Sequence, residues 1–177
     1  DLITFAKGSN SGYVPVGGVI ISDPIAATFD DRVFPGGLTY SGHPLACASI
    51  VASIDAMKEE GIVENARRIG EDVLGPGLAE IAERHPVIGE VRGLGVFWAL
   101  DLVTDRATRE PLAPYGGTSP AMAELLGEIT KRGVLPFANF NRLHVVPPCT
   151  VSDTEVKDGL AVLDEAFSVV DKHYTGA

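Results

Sequence analysis

Apolar runs alternate with clusters of turn-forming residues over the first 40 positions of the chain. The segments at 2–5 and 17–21 are apolar and strand-like, and glycine, serine, asparagine and proline fill the positions between and after them. Glycine tolerates positive φ and proline fixes φ, so such clusters mark turns. The pattern therefore predicts short strands and loops arranged around a site.

A helical pattern begins after Ser41. Ser41 is a candidate N-cap, Pro44 suits the first turn, and apolar residues at 45, 50, 54 and 57 recur at the spacing of one helix face up to Gly61. The pattern predicts a helix of about four turns that links the loop-rich part to the rest of the chain.

The pattern beyond this helix is that of a compact α+β region. A second apolar stripe covers 63–81, and the Gly-Pro-Gly at 75–77 should kink or break that helix. The branched and aromatic residues around Arg92 and Gly93 predict two tightly joined strands. The elements expected are strands at 87–91, 94–103, 134–135 and 143–146, an exposed loop at 104–117, and helices at 120–132 and 152–170. Ser152 and Glu155 have capping-box spacing.

The charge balance excludes some classes of partner. The chain of 177 residues has 14 Lys and Arg against 24 Asp and Glu, a formal net charge of −10, which disfavours nucleic acid and anionic membranes. No apolar run approaches the roughly 20 residues that cross a bilayer, and no basic leader opens the sequence. With 45% hydrophobic residues the chain should fold, and we expect a cytoplasmic protein.

Cys47 and Cys149 form no CxxC motif and have no close histidine partner. Neither a disulfide framework nor a zinc site is indicated. We expect both to be buried small apolar residues, and we expect no metal site.

Two segments contain candidate functional residues. Lys7 ends an apolar strand next to Gly8, where a desolvated amine could serve as a Schiff-base lysine; the alternative is a lysine that points into solvent. Thr39 and Ser41 precede a helix start that suits a phosphate; alternatively, Ser41 only caps the helix and Tyr40 packs. His43 is a candidate base or a structural residue.

Five motifs carry a resemblance to a known family. They are DLITFAKG at 1–8, GYVPVGG at 12–18, TYSGHP at 39–44, HPVIGEVRGLG at 85–95 and VPPCT at 146–150. In this order and spacing they resemble the class III aminotransferases, pyridoxal-phosphate (PLP) enzymes of fold type I, and within them the omega-amino-acid:pyruvate transaminases. The resemblance covers essentially the whole chain.

The resemblance implies a role for several residues. Lys7 matches the lysine that forms a Schiff base with PLP and later moves the substrate proton. Thr39 matches a threonine that reaches across a dimer interface to the cofactor phosphate of the neighbouring subunit, and Tyr40 beside it is expected to bind the cofactor as well. Tyr13 is expected to shape the substrate pocket.

One departure concerns the substrate carboxylate. Most members carry an arginine upstream of the final Pro-Pro, and Phe137 occupies about that position here. Arg142, five residues later, either replaces this arginine or is a surface charge; a guanidinium fork has the right chemistry for a carboxylate. Arg92 matches a family position and is expected to be structural.

A second departure concerns the domains. The family places its glycine-rich phosphate loop, its ring-stacking aromatic residue and its aspartate for the pyridine nitrogen before the lysine strand, and this chain has none of them. The resemblance thus implies an α/β fold: residues 1–60 end the large PLP-binding domain with a linking helix, and residues 61–177 form a small C-terminal α+β domain. The N-terminal half of the same enzyme is an expected partner.

The expected function is that of a transaminase. An amine or omega-amino acid would give its amino group to a keto acid such as pyruvate or 2-oxoglutarate, in a homodimer or higher homo-oligomer. The alternatives are another class III PLP enzyme, namely an aminomutase or a decarboxylating transaminase, or a non-catalytic binding or assembly fragment.

Overall fold

A computed structural model describes residues 1–176 of the chain. The chain divides into two compact units, Asp1–Gly61 and a second that starts at Ile62. Both mix helices with antiparallel strands.

The first unit begins with a hairpin of two antiparallel strands. Strand β1 (Leu2–Phe5) pairs with β2 (Gly18–Ile21), with Leu2 opposite Ile21 and Phe5 opposite Gly18. The connection contains a 3₁₀ turn at Lys7–Asn10. Both strands are therefore confirmed where the apolar runs predicted them. Two helices follow, α1 (Asp23–Ala27) and α2 (Pro44–Glu59).

The start of α2 corrects one prediction. The N-cap is His43 and not Ser41, and no side chain caps the helix. The Ser41 Oγ instead accepts a hydrogen bond from the Leu38 N–H at 3.2 Å. Pro44 takes the first helical position because its fixed φ suits that position and its missing N–H costs nothing there.

The second unit opens with one long helical stretch that changes pitch. It consists of α3 (Ile62–Ile69), a π-helical segment (Gly70–Leu74) and α4 (Gly75–Arg84). The sequence places the irregularity at 75–77, but the structure places it one turn earlier. Pro76 lies in the first turn of α4, where a proline does not break a helix.

Tight packing around Trp98 explains several glycines. A Cβ on Gly75 or on Gly93 would lie 2.7 or 2.4 Å from atoms of the Trp98 ring, and a Cβ on Gly70 would lie 2.1 Å from the Gly95 carbonyl oxygen. The Trp98 indole N–H donates to that same carbonyl at 2.7 Å. The indole thus fits a slot that only residues without a Cβ can form.

An antiparallel sheet forms the other layer of the second unit. Its strands are β3 (Ile88–Leu94), β4 (Phe97–Asp105), β5 (Glu110–Pro111), β6 (Phe137–Asn139) and β7 (Arg142–Val145). The order is β3-β4-β7-β6, and β5 pairs with the end of β4. Leu100, Leu102 and Leu143 lie in one core with helical residues such as Leu78 and Phe167. Because side chains alternate along a strand, the opposite face carries Phe97, Asp101 and Arg142.

The structure corrects three predictions in this sheet. Arg92 and Gly93 lie inside β3, paired with Ala99 and Trp98, and the tight turn is at Gly95, where φ is +55°. The residues at 134–135 lie outside the strands, and the strand in that region is β6. The expected loop at 104–117 contains the short strand β5.

The last two helices agree with the sequence. Helix α5 (Pro120–Lys131) ends close to the predicted position, and α6 (Asp153–Val170) begins with a full capping box. The Ser152 Oγ accepts from the Glu155 N–H, and the Glu155 carboxylate accepts from the Ser152 N–H at 2.9 Å. This reciprocal pair satisfies two helix-end donors at once.

Both cysteines are exposed, so the expectation of buried apolar residues is wrong. Cys47 is on the exposed side of α2, and Cys149 lies in the loop before α6. Among the described residues, no group of acidic, histidine and cysteine side chains could hold a metal ion. None of the described helices is both long and apolar enough to span a bilayer.

Candidate active site

Lys7 opens the 3₁₀ turn that follows β1. Its side chain is exposed, so the desolvated environment expected from the sequence is not found within the described residues. Among these residues no hydrogen-bond or ion-pair partner is found for the Lys7 amine, and a Cβ on the neighbouring Gly8 would meet no atom within 4 Å. The amine is therefore available to a ligand.

Asn10 ends the same turn and was missed by the sequence analysis. It is fully buried, and its side-chain amide donates to the Val14 carbonyl at 2.7 Å and to Ser49 Oγ on α2 at 2.9 Å. An asparagine near glycines is typical of a turn, and nothing in the local pattern distinguishes a buried one.

Two consecutive turns precede α2 and carry Thr39 and Tyr40. Ser41 N–H donates to the Leu38 carbonyl at 2.9 Å, and His43 N–H donates to the Tyr40 carbonyl at 3.2 Å. Both Thr39 and Tyr40 are exposed, and within the part of the chain that the structure describes no hydrogen bond involves the Thr39 hydroxyl. Tyr40 packs its ring 5.6 Å from that of His43.

A hollow of about 650 Å³ lies within the first unit. Its walls come from Phe5 on β1, the segment at 14–17, the turns at 40–43 and the first half of α2. Lys7 follows the wall residue Phe5 closely in sequence, and Thr39 directly precedes the wall residue Tyr40. Neither Lys7 nor Thr39 lines the hollow itself. Tyr13 is 86% exposed and also lies outside the wall.

Arg142 belongs to the second unit, on β7 directly opposite Asp101 of β4. Its Nε donates to Asp101 Oδ1 at 3.1 Å, and among the described residues its two terminal nitrogens make no hydrogen bond. Arg92 contacts the other oxygen of the same carboxylate. The position of Arg142 thus combines an anchored Nε with a free guanidinium fork.

The two arginines determine the electrostatics of Asp101. Its side chain is only 25% exposed. Burial alone would raise the pKa of this carboxyl, but hydrogen bonds from Arg92 and then Arg142 outweigh it, and the pKa lies below its ordinary value. Asp101 is therefore a carboxylate at neutral pH and binds the guanidinium groups of both arginines.

Phe137 stands where the resemblance places an arginine. It is 67% exposed on the edge strand β6, and its ring lies 5.3 Å from the His144 ring, which in turn lies 6.1 Å from the Phe97 ring. These three side chains form an aromatic cluster on the sheet face that carries Arg142.

The chain as a whole matches one protein family. A family model described as aminotransferase class III matches residues 1–167. The chain belongs to this family. The class III aminotransferase match includes Lys7, both turns before α2 and Arg142.

Individual class III aminotransferases agree with this assignment. The chain is 36% identical to the 5-aminovalerate aminotransferase of Pseudomonas putida, over 96% of the chain and 38% of that protein. It is 29% identical to the taurine–pyruvate aminotransferase of Bilophila wadsworthia, over 98% of the chain and 40% of that protein.

A solved class III aminotransferase structure shares the fold. The taurine:2-oxoglutarate aminotransferase of Bifidobacterium kashiwanohense, in complex with PLP and glutamate, superposes with a TM-score of 0.89 at 35% identity, covering 98% of the chain and 39% of that structure. The chain therefore has the mixed helix–sheet fold of part of a transaminase, and it spans about two fifths of the length of these relatives.

Proposed function

We propose that the protein is a PLP-dependent transaminase that moves an amino group from an amine or omega-amino acid to a keto acid. The observation that carries this proposal is the class III match over residues 1–167, together with an unpartnered lysine amine where the family motif has its cofactor lysine. Lys7 is thus proposed as the catalytic residue.

The residues of the first unit fit the cofactor. The Lys7 amine is exposed, without a partner among the described residues, on a turn next to Gly8, where no side chain restricts approach. The free Thr39 hydroxyl can donate to a phosphate oxygen, and Tyr40 lies beside it on the same turn. Hydrogen bonds from a neutral donor to a charged acceptor are among the stronger ones in proteins. These features support Lys7 as the covalent attachment point and Thr39 and Tyr40 as phosphate-side residues.

When bound, PLP supplies an aldehyde carbon for the amino group and an electron sink for the bond that breaks. Lys7 Nζ would hold the cofactor in the resting enzyme. As a free amine, Nζ would take up and return one proton and so would act as the general base and acid of the exchange. Thr39 Oγ1 of one subunit would bind the phosphate end of the cofactor that Lys7 of the neighbouring subunit holds, and this contact would keep the reactive end oriented toward that Nζ.

Arg142 is proposed to bind the carboxylate of the donor or the keto acid. Its Nε is held by Asp101 at 3.1 Å, which leaves the fork for a bidentate contact with a planar carboxylate. Tyr13, exposed beside the Lys7 turn, is proposed to line the substrate pocket. An amine or omega-amino acid donor is supported by the substrates in the names of the relatives, and pyruvate as acceptor by one of them.

Assembly is part of the proposal. We propose a homodimer in which Thr39 serves the cofactor of the neighbouring subunit, as its family counterpart does. The exposed apolar side chains around it, Phe34, Leu38 and Tyr40, would be covered by such an interface. The N-terminal half typical of these enzymes is proposed to complete the cofactor site.

Reductive trapping tests the assignment of Lys7. After incubation with PLP, reduction with sodium borohydride attaches the pyridoxyl group to the lysine that holds it, and peptide mapping should locate that group on Lys7. Lys7→Ala should lose this label and abolish turnover, because it removes the attachment point and the proton carrier without removing core volume.

Lys58→Ala provides a matched control. Lys58 lies in the last turn of α2 in the same unit, and its loss should leave labelling and turnover unchanged. A pyridoxyl group mapped to another lysine, or turnover retained by Lys7→Ala, would refute the proposal.

A further inference from the structure

Asn10 is a buried polar residue in a unit that buries very little. Its relative exposure is 0%, and Ala46 is the only other buried residue between positions 1 and 61. Burying a carboxamide costs free energy unless its polar atoms are hydrogen-bonded. Asn10 is therefore held in place by a specific network rather than by general packing.

That network uses both the nitrogen and the oxygen of the carboxamide. Nδ2 donates to the Val14 carbonyl at 2.7 Å and to Ser49 Oγ at 2.9 Å, and Oδ1 accepts from the Gly12 N–H at 3.1 Å. The Ser49 hydroxyl donates its own hydrogen to the Ala46 carbonyl at 2.7 Å, so it can only accept from Asn10. The amide supplies both donors of this arrangement, and a carboxylate in its place would face the Val14 carbonyl, which can only accept.

The same network holds the backbone of Lys7. The Gly12 N–H that donates to Asn10 Oδ1 also donates to the Lys7 carbonyl at 2.9 Å. In the same loop, Ser11 has φ of 54° and Gly12 has φ of 75°. A non-glycine residue in this left-handed region is strained and persists where its surroundings over-determine it. The loop is thus closed on Lys7 by contacts that converge on Asn10.

Resting on the proposed function, we propose that Asn10 is a positioning residue for Lys7. Its carboxamide fastens the Lys7–Asn10 turn to α2 through Ser49 and so fixes where the Lys7 side chain leaves the backbone. The helix that Asn10 engages begins directly after the turns that carry Thr39. Asn10 therefore positions Lys7 for the cofactor of its own subunit and, through α2, the turn whose Thr39 serves the neighbouring subunit. Catalysis is sensitive to shifts of about 1 Å in such positions.

Asn10→Ala in the PLP-loaded protein tests this role. Loss of a buried hydrogen-bond network should weaken PLP retention on dialysis and slow borohydride labelling of Lys7 by about tenfold each. We expect kcat to fall by about the same factor while KM for the amino donor changes less than twofold, because Asn10 does not touch the substrate.

Ser49→Ala and Ser9→Ala define the mechanism. Ser49→Ala removes the α2 partner of Asn10 at little change of volume and should shift the same three measurements in the same direction. The double variant should show losses in these measurements no larger than those of Asn10→Ala alone, because both changes break the same contact between Asn10 and Ser49. Ser9→Ala is the matched control: its hydroxyl donates to Ala6 within the same turn at 2.8 Å and does not reach α2, so the three measurements should stay at wild-type values.

Each result decides one question. Asn10→Ala with a lowered melting temperature but wild-type PLP retention, labelling and kcat would show a merely structural residue and overturn the proposal. If Asn10→Ala does not fold, Ser49→Ala decides by the same three measurements, and wild-type values there overturn it. Failure of the unmodified protein to take PLP onto Lys7 refutes the proposed function itself, before any variant is compared.

Discussion

Asp101 and its two arginines link adjacent strands through single side chains. Asp101 lies on the central strand β4, Arg142 faces it from β7, and Arg92 reaches it from β3. Cross-strand pairs of opposite charge stabilise a sheet modestly, and more so when the carboxylate is partly shielded from water. Protonation of Asp101 should therefore weaken this ion triad and lower the stability of the sheet.

Stability should fall in acid through Asp101. Its pKa in the folded state is below the ordinary value of 3.8, so the unfolded chain binds the proton more readily. The stabilisation is complete above that ordinary value and is lost as pH falls below it toward the folded-state pKa. Urea unfolding of the wild type and Asp101→Asn between pH 5 and about pH 2.5 should show a steeper loss of unfolding free energy in the wild type.

All other carboxyl groups titrate in both proteins, so the difference between the two curves isolates Asp101. Parallel curves below about pH 4 would contradict the assignment, since the carboxamide of the variant cannot titrate. A difference confined to the neutral range would also contradict it.

The sequence alone predicts the role of some residues and not that of others. Lys7 could be proposed as functional because its strand, its glycine neighbour and its motif are all local. Asn10 could not, because its burial depends on Ser49, 39 positions away, and no local pattern encodes that contact. The exposure of both cysteines was missed for the same reason: burial is a property of the packed molecule.

Helix starts show which local signals are decisive. Ser41 and Ser152 each precede a helix, but only Ser152 caps it. Ser152 has Glu155 three residues later, which supplies the reciprocal hydrogen bond, whereas Pro44 fixes the start of α2 without any side-chain cap. The π-helical segment begins at Gly70, which packs closely against the Gly95 carbonyl, and the spacing of apolar residues does not record such packing.

Removing the cap should destabilise α6. Ser152→Ala deletes the hydroxyl that accepts from the Glu155 N–H, and we expect a loss of about 1 kcal/mol in unfolding free energy. Chemical denaturation measures this loss as a lower midpoint at an unchanged slope.

Ser168→Ala is the control on the same helix. Its hydroxyl donates to the Asp164 carbonyl one turn back at 3.1 Å, and alanine is the better helix former in such a position. Its unfolding free energy should equal or exceed that of the wild type. Equal losses in the two serine variants would argue against a capping role.

Burial is unevenly distributed over the whole molecule. Ile3, Val19 and Ile20 of the first hairpin are 63%, 54% and 57% exposed, whereas Leu100 and Phe167 of the second unit are fully buried. Strands that are apolar on both faces are typical of the interior of a covered sheet. The sequence predicted these strands correctly but could not predict that their side chains would be left exposed within this chain.

Hydrogen exchange should reflect this difference. In the 177-residue chain alone, the amides of β1 and β2 should exchange faster than those of β4 and α6, because few buried contacts oppose local opening of the hairpin. Mass spectrometry of peptic fragments can measure both regions in one sample. Protection of β1 equal to that of β4 would contradict this expectation.

The glycine slot around Trp98 provides an optical reporter. Trp98 is the single tryptophan of these 177 residues, and its indole is enclosed by Gly75 and Gly93 and bonded to the Gly95 carbonyl. Its emission therefore comes from one defined place, where the β3–β4 turn meets the helical layer. A red shift would signal separation of these two layers, with no dye or label attached to the molecule.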